Sequence, residues 1–234
     1  MRQATILAAM LLLAACSRAA PAEEPRTAGG FPRAARAVAS IVSAQWSNEP
    51  DRDRLNEAEA VMAGAGVKPG MTVADIGAGE GYYTIRLAAK VGPRGRVLAE
   101  EIIPAYHDRL AERVMRDKLD NVSVKLGHAA DPGLPEHSFD RIFLVHMYHE
   151  IAEPYEFLWR VRPALADGGR VAVVDADRPT QSHGTPPKLL DCEFASAGYT
   201  LVSRRTMPQA GGYLALYAPK GGRPAPAAMR ACTP

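Results

Sequence analysis

The run Val73-Ala74-Asp75-Ile76-Gly77-Ala78-Gly79-Glu80-Gly81-Tyr82-Tyr83 constrains the fold more than any other stretch, because an apolar segment ends in a glycine-dense turn and enters a helical pattern. Val73 and Ile76 suit a buried parallel strand, and Ile85, Leu87, Ala88 and Val91 read as the apolar positions of a helix. Gly77, Gly79 and Gly81 allow left-handed backbone and a close approach of main chain to ligand. The spacing is G-x-G-x-G, not the G-x-G-x-x-G of dinucleotide folds, which argues against a pyrophosphate cradle and a nucleotide-dependent oxidoreductase. Asp75, ahead of the glycines, repels phosphate and suits a cationic ligand.

D-x-G-x-G-x-G after a first strand resembles motif I of the class I S-adenosylmethionine-dependent methyltransferases. The likeness continues in order along the chain. Gly95 to Ile102 resembles the second strand, ending in an acid about 20 residues past the glycines, where a carboxylate takes ribose hydroxyls. Glu101 aligns with that acid and Glu100 is its neighbour. Asn121 to Gly127 resembles the third strand, Ser138-Phe139-Asp140 opens the fourth, and Leu165 to Asp175 resembles the L-x-x-G-G turn and fifth strand. After strand three the family often writes Gly-Asp-Ala, and here Gly127-His128-Ala129 stands instead. His128, or Asp131 from three residues on, is left to meet the adenine.

The resemblance implies an α/β fold, a Rossmann-like three-layer sandwich with a mostly parallel seven-stranded sheet and an antiparallel last strand. It implies S-adenosylmethionine as cofactor, held by Asp75, Gly77, Gly79, Gly81, Glu101 and His128, with Tyr82 covering it. Strands alternating with helices carry the same α/β expectation independently. Helices are expected over Ala34 to Trp46, Asp53 to Ala65, Pro104 to Asp117, Glu153 to Leu165 and Pro186 to Ala197. Final strands are expected over Tyr199 to Arg205 and Gly212 to Ala218.

In open α/β sheets ligands sit beyond the carboxyl ends of strands, so the segment after Val145 should line the site. His146-Met147-Tyr148-His149-Glu150-Ile151 offers two imidazoles, a phenol and a carboxylate. His149 is the expected base for an oxygen or nitrogen acceptor, because imidazole titrates near neutrality. Tyr148 would orient the substrate, His146 would contact the cofactor, and Glu150 would hold the imidazole or pair with Arg178. His149 and Glu150 would alternatively cap or pair with the following helix. His146 and His149 lie three residues apart beside Glu150, but without a well-placed third ligand no metal site is expected. His183 lies in a Gly/Pro-rich loop after strand five, read as a lid, a connector or a remote contributor to that cluster.

Arg2, the ten-residue apolar run Ile6 to Ala15, and Leu13-Ala14-Ala15-Cys16 resemble a bacterial lipoprotein signal. The run is too short to span a bilayer as a helix. Residues 1–15 are thus expected to be a signal peptide and Cys16 the lipidated residue, with export to the periplasmic side. Ser17 after the cysteine points in such proteins to the outer membrane. Residues 16–36 read as a flexible tether, 37–219 as the domain and 220–234 as a flexible tail. Cys192 and Cys232 are able to pair in an oxidising compartment, but a buried Cys192 and a free tail thiol are the favoured reading. The 47% hydrophobic fraction supports one full core, and a net charge of +2 without a basic cluster argues against nucleic acid. The expected partner is a small-molecule or lipid-associated acceptor, with oligomeric state left open. The alternative is a non-catalytic module holding an adenosine-like ligand.

Overall fold

In a computed structural model, which describes residues 24–41 and 48–233, apolar alternation builds one sheet between two helical layers. The elements run α1 (Glu49–Arg54), α2 (Glu57–Gly64), β1 (Thr72–Ile76), α3 (Tyr82–Val91), β2 (Arg96–Glu101), α4 (Pro104–Arg116), β3 (Val122–Leu126) and β4 (Phe139–Val145). They continue with α5 (Pro154–Val161), β5 (Leu165–Asp175), α6 (Pro187–Ser196), β6 (Tyr199–Met207) and β7 (Gly212–Pro219). Among these the seven strands are ordered β3-β2-β1-β4-β5-β7-β6, with β7 antiparallel to both neighbours. The expected sheet, antiparallel last strand included, is therefore present.

Because side chains alternate across a strand, Ile142 and Leu144 enter one core with Leu158 and Phe194, while Phe143 enters the other with Val61 and Leu87. Strand β1 pairs with β2 on one side and β4 on the other, so chain connections diverge where β1 meets β4. That divergence opens a crevice at the strands' carboxyl ends.

Two expected helices are shorter than their sequence pattern. Asp53 to Ala65 breaks between α1 and α2, where Asn56 takes φ +56°, a conformation asparagine tolerates better than most residues. After Val161 the chain tightens into a 3-10 turn over Arg162–Ala164 and enters β5 at Leu165. Pro163 lacks the N–H that another helical turn would need.

The described segments nearest the two termini depart further from expectation. The segment Ala34 to Ile41 forms no helix, and the rest of that expected helix lies outside the described residues, as do the signal peptide and Cys16. Nor is the stretch from Glu24 to Arg36 a loose tether. Phe31 is buried, meets Trp159 edge to face at 5.4 Å and clusters with Tyr155 and Met229. The tail is also packed: Trp159 Nε1 donates to the Pro224 carbonyl at 2.8 Å, and the Cys232 amide donates to the Tyr155 hydroxyl at 2.6 Å. Arg26 bridges the two ends, donating to the carbonyls of Pro226 and Met229, each at 3.2 Å. Composition concealed this because a few anchors, rather than a continuous apolar pattern, secure each segment. Burying one such anchor as large as phenylalanine contributes roughly 1.5–3 kcal/mol.

Cys192 and Cys232 form a disulfide, not the separate thiols favoured from sequence. The tail that was expected to leave Cys232 free instead lies against α5 and α6. Closing a loop of 40 residues restricts the unfolded chain by about 4 kcal/mol in the chain-entropy account. Reduction, or Cys192→Ser, is accordingly expected to lower the calorimetric Tm by roughly 8–16 °C. An unchanged Tm would show that the covalent link adds nothing to the packed tail.

Candidate functional site

The crevice encloses a cavity of about 550 Å³. Asp75, Gly77, Gly79 and Tyr82 line it from β1 and the turn into α3, Glu100 and Glu101 from β2, His128 from beyond β3, and His146, Met147 and Glu150 from beyond β4.

The glycine turn is held by backbone geometry. Gly79 sits at φ +57° and its amide donates to Glu101 Oε2 at 2.8 Å. Gly81 begins α3 at φ +88°, and a Cβ there would come within 2.5 Å of Leu110 Cδ1. Thus Gly81 does not itself line the cavity; it lets α3 start hard against α4. Asp75 accepts from Thr84 Oγ1 at 2.7 Å, tying β1 to α3. Burial pushes the Asp75 carboxyl up to about 6, despite that hydrogen bond.

The neighbouring acids at the end of β2 differ in environment. Glu101 accepts from the Gly79 and Ile103 amides, one on each oxygen and both at 2.8 Å. Glu100 is offered only a 3.4 Å contact from the Gly77 amide, and its buried Oε1 has no hydrogen-bond partner among the described residues. A side chain at Gly127 would run into this carboxyl group. Burial, reinforced by the neighbouring Glu101 and Asp75 charges, pushes Glu100 up to about 8.

This shift has a defined sign. The fold favours protonated Glu100, so its contribution is full below the ordinary 4.5 and is lost as pH rises through about 8. Glu100→Gln is expected to remove that loss, making the variant more stable than wild type at pH 9 by a few kcal/mol on the order-of-magnitude scale of such shifts. Denaturant titrations of both proteins at pH 5 and pH 9 check this. A stability difference that is independent of pH would contradict it.

Tyr82 lies between two guanidinium groups, with Arg52 3.7 Å and Arg86 3.8 Å from its ring centre, and donates to Asp53 at 3.1 Å. This fixes α1 and the start of α3 along the cavity mouth, bringing Asn48 and Glu49 into its lining, which sequence patterns had not indicated. Arg52 is engaged by Glu57 at 2.9 and 2.6 Å. Burial alone would raise the Glu57 carboxyl, but Arg52 and then His146, whose Nε2 is 3.8 Å away, hold it down at about 2.

Besides Glu100, which burial keeps protonated, the wall bears Glu49, Glu80, Glu101, Glu150 and Asp75, set among the described residues against the one guanidinium of Arg52. Such a carboxylate-rich surface favours a cation and disfavours phosphate. Asp131, one candidate for the adenine contact, is directed elsewhere: it accepts from Arg160 at 3.1 Å and the Gly133 amide at 2.9 Å. His128 does reach the cavity.

The expected catalytic pair is not on the cavity wall. Tyr148 and His149 are fully buried, because the 3-10 turn Tyr148–Glu150 sends them inward while His146, Met147 and Glu150 face the cavity. The Tyr148 hydroxyl donates to Glu193 at 2.7 Å. His149 Nδ1 lies 3.0 and 3.1 Å from the Asp175 oxygens, so Asp175, rather than Glu150, orients that imidazole. Asp175 was legible only as the acid ending strand five.

Residues 67–198 match the methyltransferase domain family. An arsenite methyltransferase from Halobacterium salinarum is 29% identical over 135 residues, covering 55% of this chain and 34% of that protein. A demethylmenaquinone methyltransferase from Symbiobacterium thermophilum is 27% identical over 48% of this chain and 45% of its own. The chain thus spans less than half the length of either relative. A crystal structure of a SAM-dependent methyltransferase from Aquifex aeolicus shares the fold, with a TM-score of 0.63 at 22% identity over 74% of this chain and 98% of that one. With the family match covering more than half of the sequence and the glycine turn, switch-point cavity and strand order all in place, this chain belongs to the methyltransferase domain family.

Proposed function

We propose that the chain transfers the methyl group of S-adenosylmethionine to a small-molecule or lipid-associated acceptor. The observation that carries this reading is the acid-walled cavity at the sheet's switch point, where Glu101 braces the glycine turn. The residues present fit the cofactor. Glu101 would take the ribose hydroxyls, the turn from Gly77 to Gly79 would allow close backbone approach, and His128 would meet the adenine. Asp75 and its acidic neighbours favour the cationic groups. When bound, S-adenosylmethionine supplies a methyl carbon already activated by sulfonium.

The protein's remaining task is positioning and, for an oxygen or nitrogen acceptor, proton removal. His146, on the cavity wall beyond β4, takes the role first expected of His149. Tyr148 and His149 support the turn from behind. Ile151 and Phe157 add apolar surface on the same wall. The names of the arsenite and demethylmenaquinone relatives point to small acceptors and support that class here.

We further propose export and lipid attachment at Cys16, with the outer membrane favoured by Ser17. The lipoprotein-like start and the Cys192–Cys232 disulfide, which suits an oxidising compartment, support this reading. Incorporation of labelled palmitate into wild type but not Cys16→Ala is the expected result; an unlabelled wild type would remove the anchor.

Transfer is tested by presenting methyl-labelled cofactor with panels of phenols, amines, thiols and quinols. Labelled product that disappears in Glu101→Ala is expected. Tight cofactor binding without transfer to any acceptor class would instead favour the non-catalytic module.

A further inference from the structure

Beside the cavity, His149, Glu150 and His183 each offer one ligand atom, and these atoms lie within 4.8 Å of one another. His149 and Glu150 come from the turn after β4, while His183 comes from the loop after β5, at φ +57°. The two imidazole rings meet edge to face with centres 5.4 Å apart. From sequence no metal site was expected of His146 and His149, and His183 was read as at most a remote contributor; it is His183, not His146, that lies beside His149 and Glu150.

His149 has the more informative geometry. Its side chain is fully buried, and both Asp175 oxygens lie against Nδ1. Asp175 accepts from the Ala176 amide at 2.8 Å and Thr185 Oγ1 at 2.7 Å, so its position is fixed in turn. A carboxylate in this place holds the proton on Nδ1 and leaves the lone pair on Nε2. That buried Nε2 has no hydrogen-bond partner among the described residues. An acceptor buried in this state is unfavourable, and coordination would relieve the cost.

We propose that His149 Nε2, His183 and Glu150 form a site for a borderline divalent transition metal ion of the zinc class. Two imidazoles and one carboxylate suit such an ion better than magnesium or calcium, which favour oxygen ligands. Asp175 supplies the outer carboxylate that characteristically orients a metal-bound histidine. With Glu150, it balances the dication's charge. Ligand atoms about 2.0–2.2 Å from an ion would stand closer together than the observed limit. The approach falls to His183 and Glu150, which are partly exposed, while His149 stays fixed by Asp175. Three protein ligands leave coordination open on the side where Glu150 meets the cavity.

The test is a titration of Zn²⁺ into the metal-stripped full chain without a histidine tag, in competition with a chromophoric chelator and without S-adenosylmethionine. The result is therefore independent of methyl transfer. One ion per chain, bound at micromolar affinity or tighter, is expected. Asp175→Asn should weaken binding roughly 10–100-fold through the outer shell, and His183→Ala and Glu150→Gln should weaken it at least tenfold, whereas His137→Ala should bind like wild type. Because His149 is buried, its own variant is not decisive; circular dichroism must show His183→Ala and Glu150→Gln folded. Absence of stoichiometric binding by folded wild type, or wild-type affinity in both folded ligand variants, would overturn the proposal.

Discussion

Calorimetric titration of Gly79→Val with S-adenosylmethionine is expected to give no binding heat where wild type binds. A β-branched residue at φ +57° is strained by roughly 1–2 kcal/mol. Its side chain would also disturb the turn whose amide meets Glu101 at 2.8 Å. Glu101→Ala attacks the same site from β2, removing the acceptor for both the Gly79 and Ile103 amides. Loss of a charged hydrogen-bonding partner is worth about 1.5–3 kcal/mol, so cofactor affinity should fall roughly 10–150-fold. S-adenosylhomocysteine, which lacks the sulfonium charge but retains the ribose, should lose comparable affinity in Glu101→Ala. If both variants remain folded and bind as wild type does, the proposed cofactor reading of this cavity is wrong.

Glu193→Ala is expected to lower unfolding free energy by about 3–5 kcal/mol, because it leaves a buried cation without its counter-ion. Arg36 and Glu193 have fully buried side chains and meet at 2.9 Å. Burial disfavours the charged guanidinium, but Glu193, together with the nearby Tyr148 and Tyr155 side chains, more than compensates, leaving the Arg36 pKa raised. Arg36 also donates to the carbonyls of Tyr148, His149 and Ile151 at 3.4, 3.5 and 3.2 Å. It thereby secures the turn that presents Glu150 and Ile151 to the cavity.

Arg36→Met combined with Glu193→Met should be less damaging than Glu193→Ala, since the double change removes both charges together. Urea denaturation of the three proteins provides the comparison. A cost below about 1 kcal/mol for Glu193→Ala, the range of an exposed pair, would show that water reaches Arg36 and that this segment is not a structural strap.

How much could be read in advance varied with the range of the interactions. The β1 turn, the order of strands and the acid ending β2 were legible because each depends on neighbouring residues or a repeated local pattern. The break at Asn56 was hidden inside a continuous helical pattern, and Pro163 ended a helix that apolar spacing would have extended. Gly81 was recognisable as part of the motif, but its contact with Leu110 was not. His128 lines the cavity, whereas Asp131 is claimed by Arg160 from another element.

The sequence by itself determined the α/β class, the glycine turn, the cation-favouring acids and membership in a broad family, because local backbone preferences and side-chain periodicity encode them. Tertiary structure decided which residues of the segment after β4 face the cavity. It turned Tyr148 and His149 inward, paired His149 with Asp175, and brought His183 beside them. It also packed the segments 24–36 and 220–233 onto α5 and α6 and joined Cys192 to Cys232. These outcomes depend on contacts between residues far apart in sequence, where burial and charge pairing outweigh the local composition of either partner.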